Sequence, residues 1–145
     1  MIDIEQHCTG EKFYKTSINA FSERTRAIVK IEDGCDRFCS YCIIPKARGR
    51  VRSKPIEDIV KETEALAASG FTEVVLVGIN LSAYGKDTGE RFYDAVKAAA
   101  DVDGIKRVRL GSLEPDHLTD EVLCNLSKID KLCPQFHISL QVKAA

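Results

Sequence analysis

The sequence predicts an α/β fold, a partial (βα) barrel that stops after about four strands. Short runs rich in β-branched residues alternate with segments of helical apolar spacing, and this alternation is typical of right-handed parallel βαβ units. Polar and metal-ligating residues follow the strands, where a barrel has its working rim. Four such strands also fit a small open sheet, but the position of these residues favours the barrel.

The first predicted strand follows a weakly patterned segment. Residues 1–24 are polar, and we interpret them as a linker or the remnant of an upstream domain. Residues 25–145 form the partial core domain in this interpretation. Its first strand is the β-branched run 27–31, bounded by Asp33 and Gly34.

The next two elements have clear boundaries. Ser53 is the predicted N-cap of a helix, Pro55 lies in its first turn, and Gly70 follows its end. The apolar positions between them keep helical spacing and indicate one buried face. The continuous apolar run 74–77 has the length of a strand buried on both faces of a parallel sheet.

The same order then repeats along the chain. A loop over 78–89 leads to a helix over 91–102, and a third strand follows at 107–110. A further helix begins at about Thr119, and the fourth strand is 136–140. Apolar residues keep the helical period in both helices, so each is expected to bury one face against the sheet.

Composition indicates a protein of the reducing cytoplasm with no membrane partner. The 145 residues carry a formal net charge of −1, which gives no global attraction to nucleic acid or to an anionic membrane. No apolar run approaches the roughly 18 residues of a spanning helix, and the N-terminus lacks the pattern of a secretory signal. In that compartment six cysteines indicate metal or catalytic use more than disulfides.

Three of the cysteines lie close together and predict an iron–sulfur site. Cys35, Cys39 and Cys42 have the spacing C-x3-C-x2-C. Cubane clusters are normally held by four thiolates, so three thiolates on one loop predict a [4Fe–4S] cluster with one open iron. Asp33-Gly34 allows a sharp turn into the loop, and Phe38 and Tyr41 are expected to shield the cluster.

Two other interpretations of the cysteines are open. A zinc site would need a fourth ligand, from His7, Cys8, Cys124 or Cys133, and C-x3-C is not the common spacing of zinc ligands. The pair Cys39 and Cys42 is also a C-x-x-C redox motif. It lacks the usual position at the start of a helix after a thioredoxin-like strand.

Around this motif the sequence resembles the radical S-adenosylmethionine (SAM) methylthiotransferases. The matching segments are 24–53, with Cys-Ile-Ile-Pro and Ala-Arg-Gly, 75–85, 107–115, with Gly-Ser-Leu-Glu-Pro, and 137–141. They run in family order from about Arg24 to Gln141. The chain is most similar to the branch that acts on threonylcarbamoyl-adenosine at tRNA position 37. The isopentenyl-adenosine branch and the ribosomal-protein branch remain open.

The resemblance implies replacement of a C–H bond by C–S–CH3 at adenosine C2. One SAM molecule supplies a 5′-deoxyadenosyl radical and another the methyl group, with an electron donor such as a flavodoxin. The resemblance also implies a second cluster on an N-terminal domain, a C-terminal RNA-binding domain and a barrel of about six strands. On this interpretation the chain is a fragment of the radical SAM core and is not expected to complete the reaction alone.

Residues that would bind SAM follow from the resemblance and from the rim of the barrel. Gly78 would let the backbone approach SAM closely. Glu114 would accept a hydrogen bond from an ammonium or a ribose hydroxyl. The complete set of expected cofactor-binding residues is Tyr41, Gly78, Asn80, Ser112, Glu114 and Gln141. Taken singly, each polar residue is equally well explained as an ordinary loop or capping residue.

A basic run follows the cysteine loop and is a candidate RNA contact. Its members alternate with other residues, and they are Lys46, Arg48, Arg50, Arg52 and Lys54. We expect Arg48, Arg50 and Arg52 to contact tRNA phosphates. The other possibilities are a solvated face, or one arginine that pairs with the SAM carboxylate. Two further functions stay open: another radical SAM enzyme and a zinc-stabilised RNA-binding module.

Overall fold

The computed structural model describes residues 10–14 and 25–140. In this part of the chain the strands are β1 (Ala27–Lys30), β2 (Glu32–Asp33), β3 (Arg52–Ser53), β4 (Glu73–Val77), β5 (Arg107–Leu110), β6 (Ser112–Leu113) and β7 (His137–Ile138). The α-helices are α1 (Ile44–Arg48), α2 (Ile56–Ala68), α3 (Phe92–Asp101) and α4 (Asp120–Leu126). Two 3-10 turns lie at Leu81–Ala83 and Pro115–His117. None of the described helices has the length and hydropathy needed to cross a bilayer.

A parallel sheet forms the centre of the molecule. Its strand order is β1-β4-β5, and the register aligns Val29 with Leu76 and Leu76 with Leu110. After Gly111 the third strand continues as β6, which pairs in parallel with β7. Strand order along the sheet therefore follows chain order, as in an opened barrel. The predicted α/β fold with a partial barrel is confirmed.

Apolar side chains fix this arrangement. Four side chains of the sheet are fully buried, as expected for the strands of a parallel sheet that is covered on both faces: Val29, Val74, Leu76 and Val108. Helices α2 and α3 pack on each other and on the sheet. The core continues along one face of each helix, formed by Ile59, Leu66, Phe92, Ala95, Val96 and Ala99.

The start of α2 corrects the predicted N-cap. Ser53 lies in β3, and its Oγ accepts a hydrogen bond from the Gly85 amide at 2.8 Å. The helix begins at Ile56 after Pro55, and the Ile56 amide donates to Glu90 Oε1 at 3.1 Å. A carboxylate from a distant loop therefore takes the role that a local hydroxyl usually has. The helix ends before Gly70, as predicted, with Gly70 at φ 93°.

The other boundaries differ less from the prediction. Helix α3 is one residue shorter at each end than predicted, and α4 begins after Thr119, whose Oγ1 accepts from the Val122 amide at 3.3 Å. The fourth strand, predicted over 136–140, is reduced to His137–Ile138 because it pairs only with the two residues of β6. The ribbon β2–β3 and the short helix α1 were not predicted.

Part of the N-terminal segment packs on the core. Phe13 is only 9% exposed. The ammonium groups of Lys30 and Lys54 lie 5.9 and 5.3 Å from the centre of its ring. We expected a linker or a remnant of an upstream domain over 1–24. Within residues 10–14, Phe13 instead packs against residues of the core domain. The rest of that segment lies outside the described residues, as does Gln141.

Candidate functional site

The cysteine loop is closed at its base by β2, β3 and two glycines. Gly34 has φ 86°, and a Cβ there would lie 2.0 Å from the Arg50 carbonyl oxygen. Only glycine allows this approach. The Cys35 amide donates to the carbonyl of Gly49 at 3.1 Å, and Asp33 pairs with Arg52 across the ribbon. The predicted sharp turn at Gly34 is thereby explained.

The three thiols sit on this loop beyond the carboxyl end of β1. Cys35, Cys39 and Cys42 are free and partly exposed. The Cys42 amide donates to the Cys39 carbonyl at 2.9 Å. Cys35 Sγ accepts from the Arg37 amide and from Asn80 Nδ2, each at 3.5 Å.

These features suit an iron–sulfur cluster. N–H donors aimed at a sulfur stabilise a thiolate, which is the form that ligates iron. Among the described residues no three His, Cys, Asp or Glu side chains converge on one metal-ion position. Of the suggested zinc ligands, Cys124 is exposed on α4, Cys133 is buried, and His7 and Cys8 lie outside the described residues.

The two aromatic residues of the loop are largely exposed. Phe38 is 55% exposed and Tyr41 73% exposed, so the expected shielding is at most partial in this structure. Phe38 is the one non-glycine residue with positive φ in the described part of the chain, at 47°. The Arg50 guanidinium lies 5.1 Å from the centre of its ring.

A buried carboxyl group lies beside the loop and was not predicted. Glu32 is fully buried, and its Oε2 accepts from the Asn80 amide at 2.7 Å. A Cβ on Gly78 would lie 2.6 Å from the same oxygen, so Gly78 makes room for Glu32. Burial raises the pKa of Glu32 to about 8. Glu32 Oε1 and Asn80 Oδ1 are both buried, and neither has a hydrogen-bond partner among the described residues.

The turn after β6 approaches the cysteine loop from the other side. Arg37 Nη2 donates to both carboxylate oxygens of Asp116, at 2.5 and 2.6 Å. This hydrogen bond lowers the pKa of Asp116. The Glu114 amide donates to Ser82 Oγ at 2.8 Å. Asn80 follows β4, Ser112 begins β6 and Glu114 follows β6, and the cysteine loop contacts this region through Asn80 and Asp116. Binding of SAM by Asn80, Ser112 and Glu114 stays a prediction.

The basic run is not a continuous cationic surface. Arg50 is paired with Asp36 at 3.4 Å and Arg48 with Asp33 at 3.9 Å, and both arginine side chains are about half exposed. Arg52 is only 6% exposed and faces Asp33 at 3.6 Å and Glu11 at 3.5 Å. Burial opposes ionisation of Asp33, but Lys30 and Arg48 outweigh it and lower its pKa.

Two members of the run therefore have structural roles. Lys54 is buried and pairs with Glu62. Arg52, which was expected to contact RNA phosphate, is buried beside Asp33 and Glu11 in the structure, and its contact with RNA stays a prediction. Alternation of basic residues in the sequence did not reveal these acidic partners, which come from β2, α2 and the N-terminal segment.

Comparison with known proteins identifies the superfamily. Residues 29–142 match the model of the Radical SAM superfamily. The chain is 41% identical over 133 residues to the threonylcarbamoyladenosine tRNA methylthiotransferase MtaB of Thermotoga maritima, covering 91% of this chain and 31% of that protein. It is 44% identical over 117 residues to the tRNA-2-methylthio-N(6)-dimethylallyladenosine synthase of Syntrophomonas wolfei, covering 79% and 26%.

A solved structure shares the fold. It is the radical SAM methyltransferase TsrM from Kitasatospora setae with cobalamin and a [4Fe-4S] cluster bound, and it superposes with a TM-score of 0.54 at 22% identity over 73% of this chain and 21% of that one. The chain spans less than a third of the length of these relatives. The family match covers most of its residues, and the chain therefore belongs to the radical SAM superfamily.

Proposed function

We propose that this chain is part of the core of a methylthiotransferase that acts on a modified adenosine at position 37 of tRNA. The observation that carries the proposal is that the three free thiols of the cysteine loop lie beside the carboxyl ends of β1 and β4. Relatives about 40% identical, among them the Thermotoga maritima tRNA methylthiotransferase, support the reaction class. Among the possible modified adenosines we favour threonylcarbamoyl-adenosine as the substrate, because the Thermotoga maritima relative is a threonylcarbamoyladenosine tRNA methylthiotransferase.

In this proposal Cys35, Cys39 and Cys42 hold a [4Fe–4S] cluster. A bound cluster of this kind, with one iron free for SAM, supplies the electron that cleaves a carbon–sulfur bond of SAM. The protein's own contribution is to hold the loop. Gly34 and Gly49 keep its ends together, and the Arg37–Asp116 pair ties its middle to the turn after β6.

SAM would bind across the ends of the strands, next to the loop. We assign Asn80, Ser112 and Glu114 to this surface because Asn80 follows β4, Ser112 begins β6 and Glu114 follows β6, all on the cysteine side of the sheet. Tyr41, Gly78 and Gln141 stay in the proposed set. Tyr41 is exposed on the loop, and Gly78 begins the turn that presents Asn80.

Contact with tRNA would use Arg48 and Arg50. The side chains of Arg48 and Arg50 are 49% and 62% exposed next to the cysteine loop. Among the described residues, each has one carboxylate partner, at 3.9 Å and 3.4 Å. Such arginines can exchange that partner for a phosphate. An electron donor such as a flavodoxin and a cytoplasmic location belong to the same proposal.

Anaerobic reconstitution with iron and sulfide tests the cluster. The proposal expects about four irons per chain, as in a cubane cluster. After reduction with dithionite, the EPR spectrum should change when SAM is added. Replacement of Cys35, Cys39 or Cys42 by alanine should abolish the signal. Cys124→Ala is the matched control, because this thiol is exposed on α4 outside the loop.

Two outcomes would contradict the proposal. One tightly bound zinc in place of iron would indicate a structural metal site. A cluster with an EPR spectrum insensitive to SAM would remove the SAM site from this chain.

A further inference from the structure

Asn80 connects a buried carboxyl group to a cysteine sulfur. Its backbone amide donates to Glu32 Oε2 at 2.7 Å, and its side-chain Nδ2 donates to Cys35 Sγ at 3.5 Å. Glu32 is fully buried and Asn80 is 7% exposed. The two donors of one residue therefore reach two different groups, and the first hydrogen bond fixes the backbone from which the second is made.

The surroundings of Glu32 are built for this contact. Gly78 lacks the side chain that would collide with Glu32, since a Cβ there would lie 2.6 Å from Oε2 and 2.9 Å from the Glu32 Cβ. The other oxygen of Glu32, Oε1, is buried and has no hydrogen-bond partner within residues 10–14 and 25–140. A carboxyl group in this condition costs folding free energy. An apolar residue would fill the same space at lower cost, so stability does not account for Glu32.

We propose that the Asn80 amide raises the reduction potential of the cluster through its hydrogen bond to Cys35 Sγ, and that Glu32 is the positioning residue that holds Asn80 for this task. The inference rests on the proposed function, because it presupposes a cluster on Cys35. Hydrogen bonds to cluster sulfurs are among the determinants of cluster potential. An N–H group withdraws charge from the thiolate and so favours the state that carries one more electron.

Redox titration of the reconstituted chain, followed by EPR, tests the hydrogen bond. Asn80→Leu keeps the approximate size of the side chain and removes the donor. We expect reduction to become about tenfold less favourable, a shift of about 59 mV to more negative potential for a one-electron couple. Asn125→Leu is the control, since Asn125 lies on α4 and its side chain bonds to Glu121 and Lys128, away from the cysteine loop. Its potential should equal that of the wild type.

Variants of Glu32 test the positioning role. Glu32→Gln keeps an oxygen that accepts from the Asn80 amide, so the potential should stay near the wild-type value. Glu32→Ala removes the acceptor, and the potential should fall as in Asn80→Leu. In the double variant Glu32→Ala/Asn80→Leu no further fall is expected, because either change alone already removes the hydrogen bond from Asn80 Nδ2 to Cys35 Sγ. Additive shifts would overturn the positioning role.

A second measurement on the wild type does not depend on any variant that fails to fold. With side-chain 15N-labelled asparagine, pulsed EPR of the reduced cluster should detect a 15N coupling. The label does not report the Arg37 amide, which also faces Cys35 Sγ. Absence of this coupling, or an unchanged potential in Asn80→Leu, would overturn the inference. If the cluster forms and responds to SAM in that case, the proposed function still stands, whereas failure to bind iron would defeat the proposed function itself.

Discussion

Arg37 and Asp116 are 79 residues apart in the chain, and Arg37 Nη2 donates to both oxygens of the Asp116 carboxylate. Arg37 lies between the first two cysteines, and Asp116 lies in the turn that follows β6. The pair therefore connects the cysteine loop to the turn after β6 at one end of the sheet. It is partly exposed, with Arg37 35% and Asp116 64% accessible.

Removal of this bridge should loosen the loop without unfolding the chain. In Arg37→Ala we expect hydrogen exchange of the amides in 36–42 to become several times faster. The free energy of unfolding should fall by less than about 1 kcal/mol, because exposed ion pairs contribute little. Lys97→Ala breaks another exposed pair, on α3, and should leave exchange in 36–42 unchanged. Equal exchange in Arg37→Ala and wild type would show that the bridge does not hold the loop.

Glu32 should make stability depend on pH. Burial raises its pKa to about 8, with the neighbouring Asp33 adding to the shift and Lys30 opposing it. The folded state therefore holds a proton that the unfolded chain releases near the ordinary value of 4.5. This contribution to stability is complete below that value and is lost as pH rises through about 8.

Urea unfolding of the apo chain between pH 4 and 9 measures this effect. Glu32→Gln cannot ionise, so the wild type should lose stability relative to the variant by on the order of 4 kcal/mol across this range. Taking the difference between the two proteins removes the other titrating groups. A difference that stays constant with pH would contradict the raised pKa.

Gly78→Ala should destabilise the fold by about 1–3 kcal/mol, the usual cost of an overpacked site. The added methyl group would lie 2.6 Å from Oε2 and 2.9 Å from Cβ of Glu32, which is fully buried. Gly111→Ala is the comparison, because its Cβ would meet the Leu76 carbonyl oxygen at 3.3 Å, a milder contact for which we expect a smaller loss of stability. Denaturant titration of both variants decides the point. Equal costs at the two positions would contradict the close packing of Glu32 on Gly78.

Arg50 and Arg52 should respond differently to truncation. Arg52 is buried between carboxylates, and Arg52→Ala should cost about 1–3 kcal/mol, because a buried side chain is removed while Asp33 keeps Lys30 and Arg48 as partners. Arg50 is about 62% exposed, and Arg50→Ala should change stability by less than about 1 kcal/mol. Thermal or urea unfolding of the two variants provides the measurement. Similar losses in both would contradict the burial difference.

The sequence predicted the parallel sheet and its helices because those elements depend on local patterns. Runs such as 74–77 are apolar throughout, and α3 repeats its apolar residues with a helical period. The strands of the ribbon, Glu32–Asp33 and Arg52–Ser53, have two residues each. A period cannot be recognised in two residues, so this ribbon was not predictable.

The part of the site that could be predicted is the part formed by residues close together in the sequence. The spacing of Cys35, Cys39 and Cys42 indicated a cluster loop without any knowledge of the fold. Glu32 did not stand out, because its burial depends on Gly78 and Asn80, the latter 48 residues away. In the same way, Arg52 was interpreted as a surface cation because its partners come from other segments.

Closure of the cysteine loop at its base separates the loop from the sheet. The Cys35–Gly49 hydrogen bond and the approach of Gly34 to Arg50 hold both ends of the loop together, independently of what lies between them. Insertions between these ends leave the register of β1 with β4 untouched, since loops on a fixed base tolerate changes in length. The loop is therefore a separate unit, in which a change of length would alter the placement of the thiols while the sheet below keeps its register.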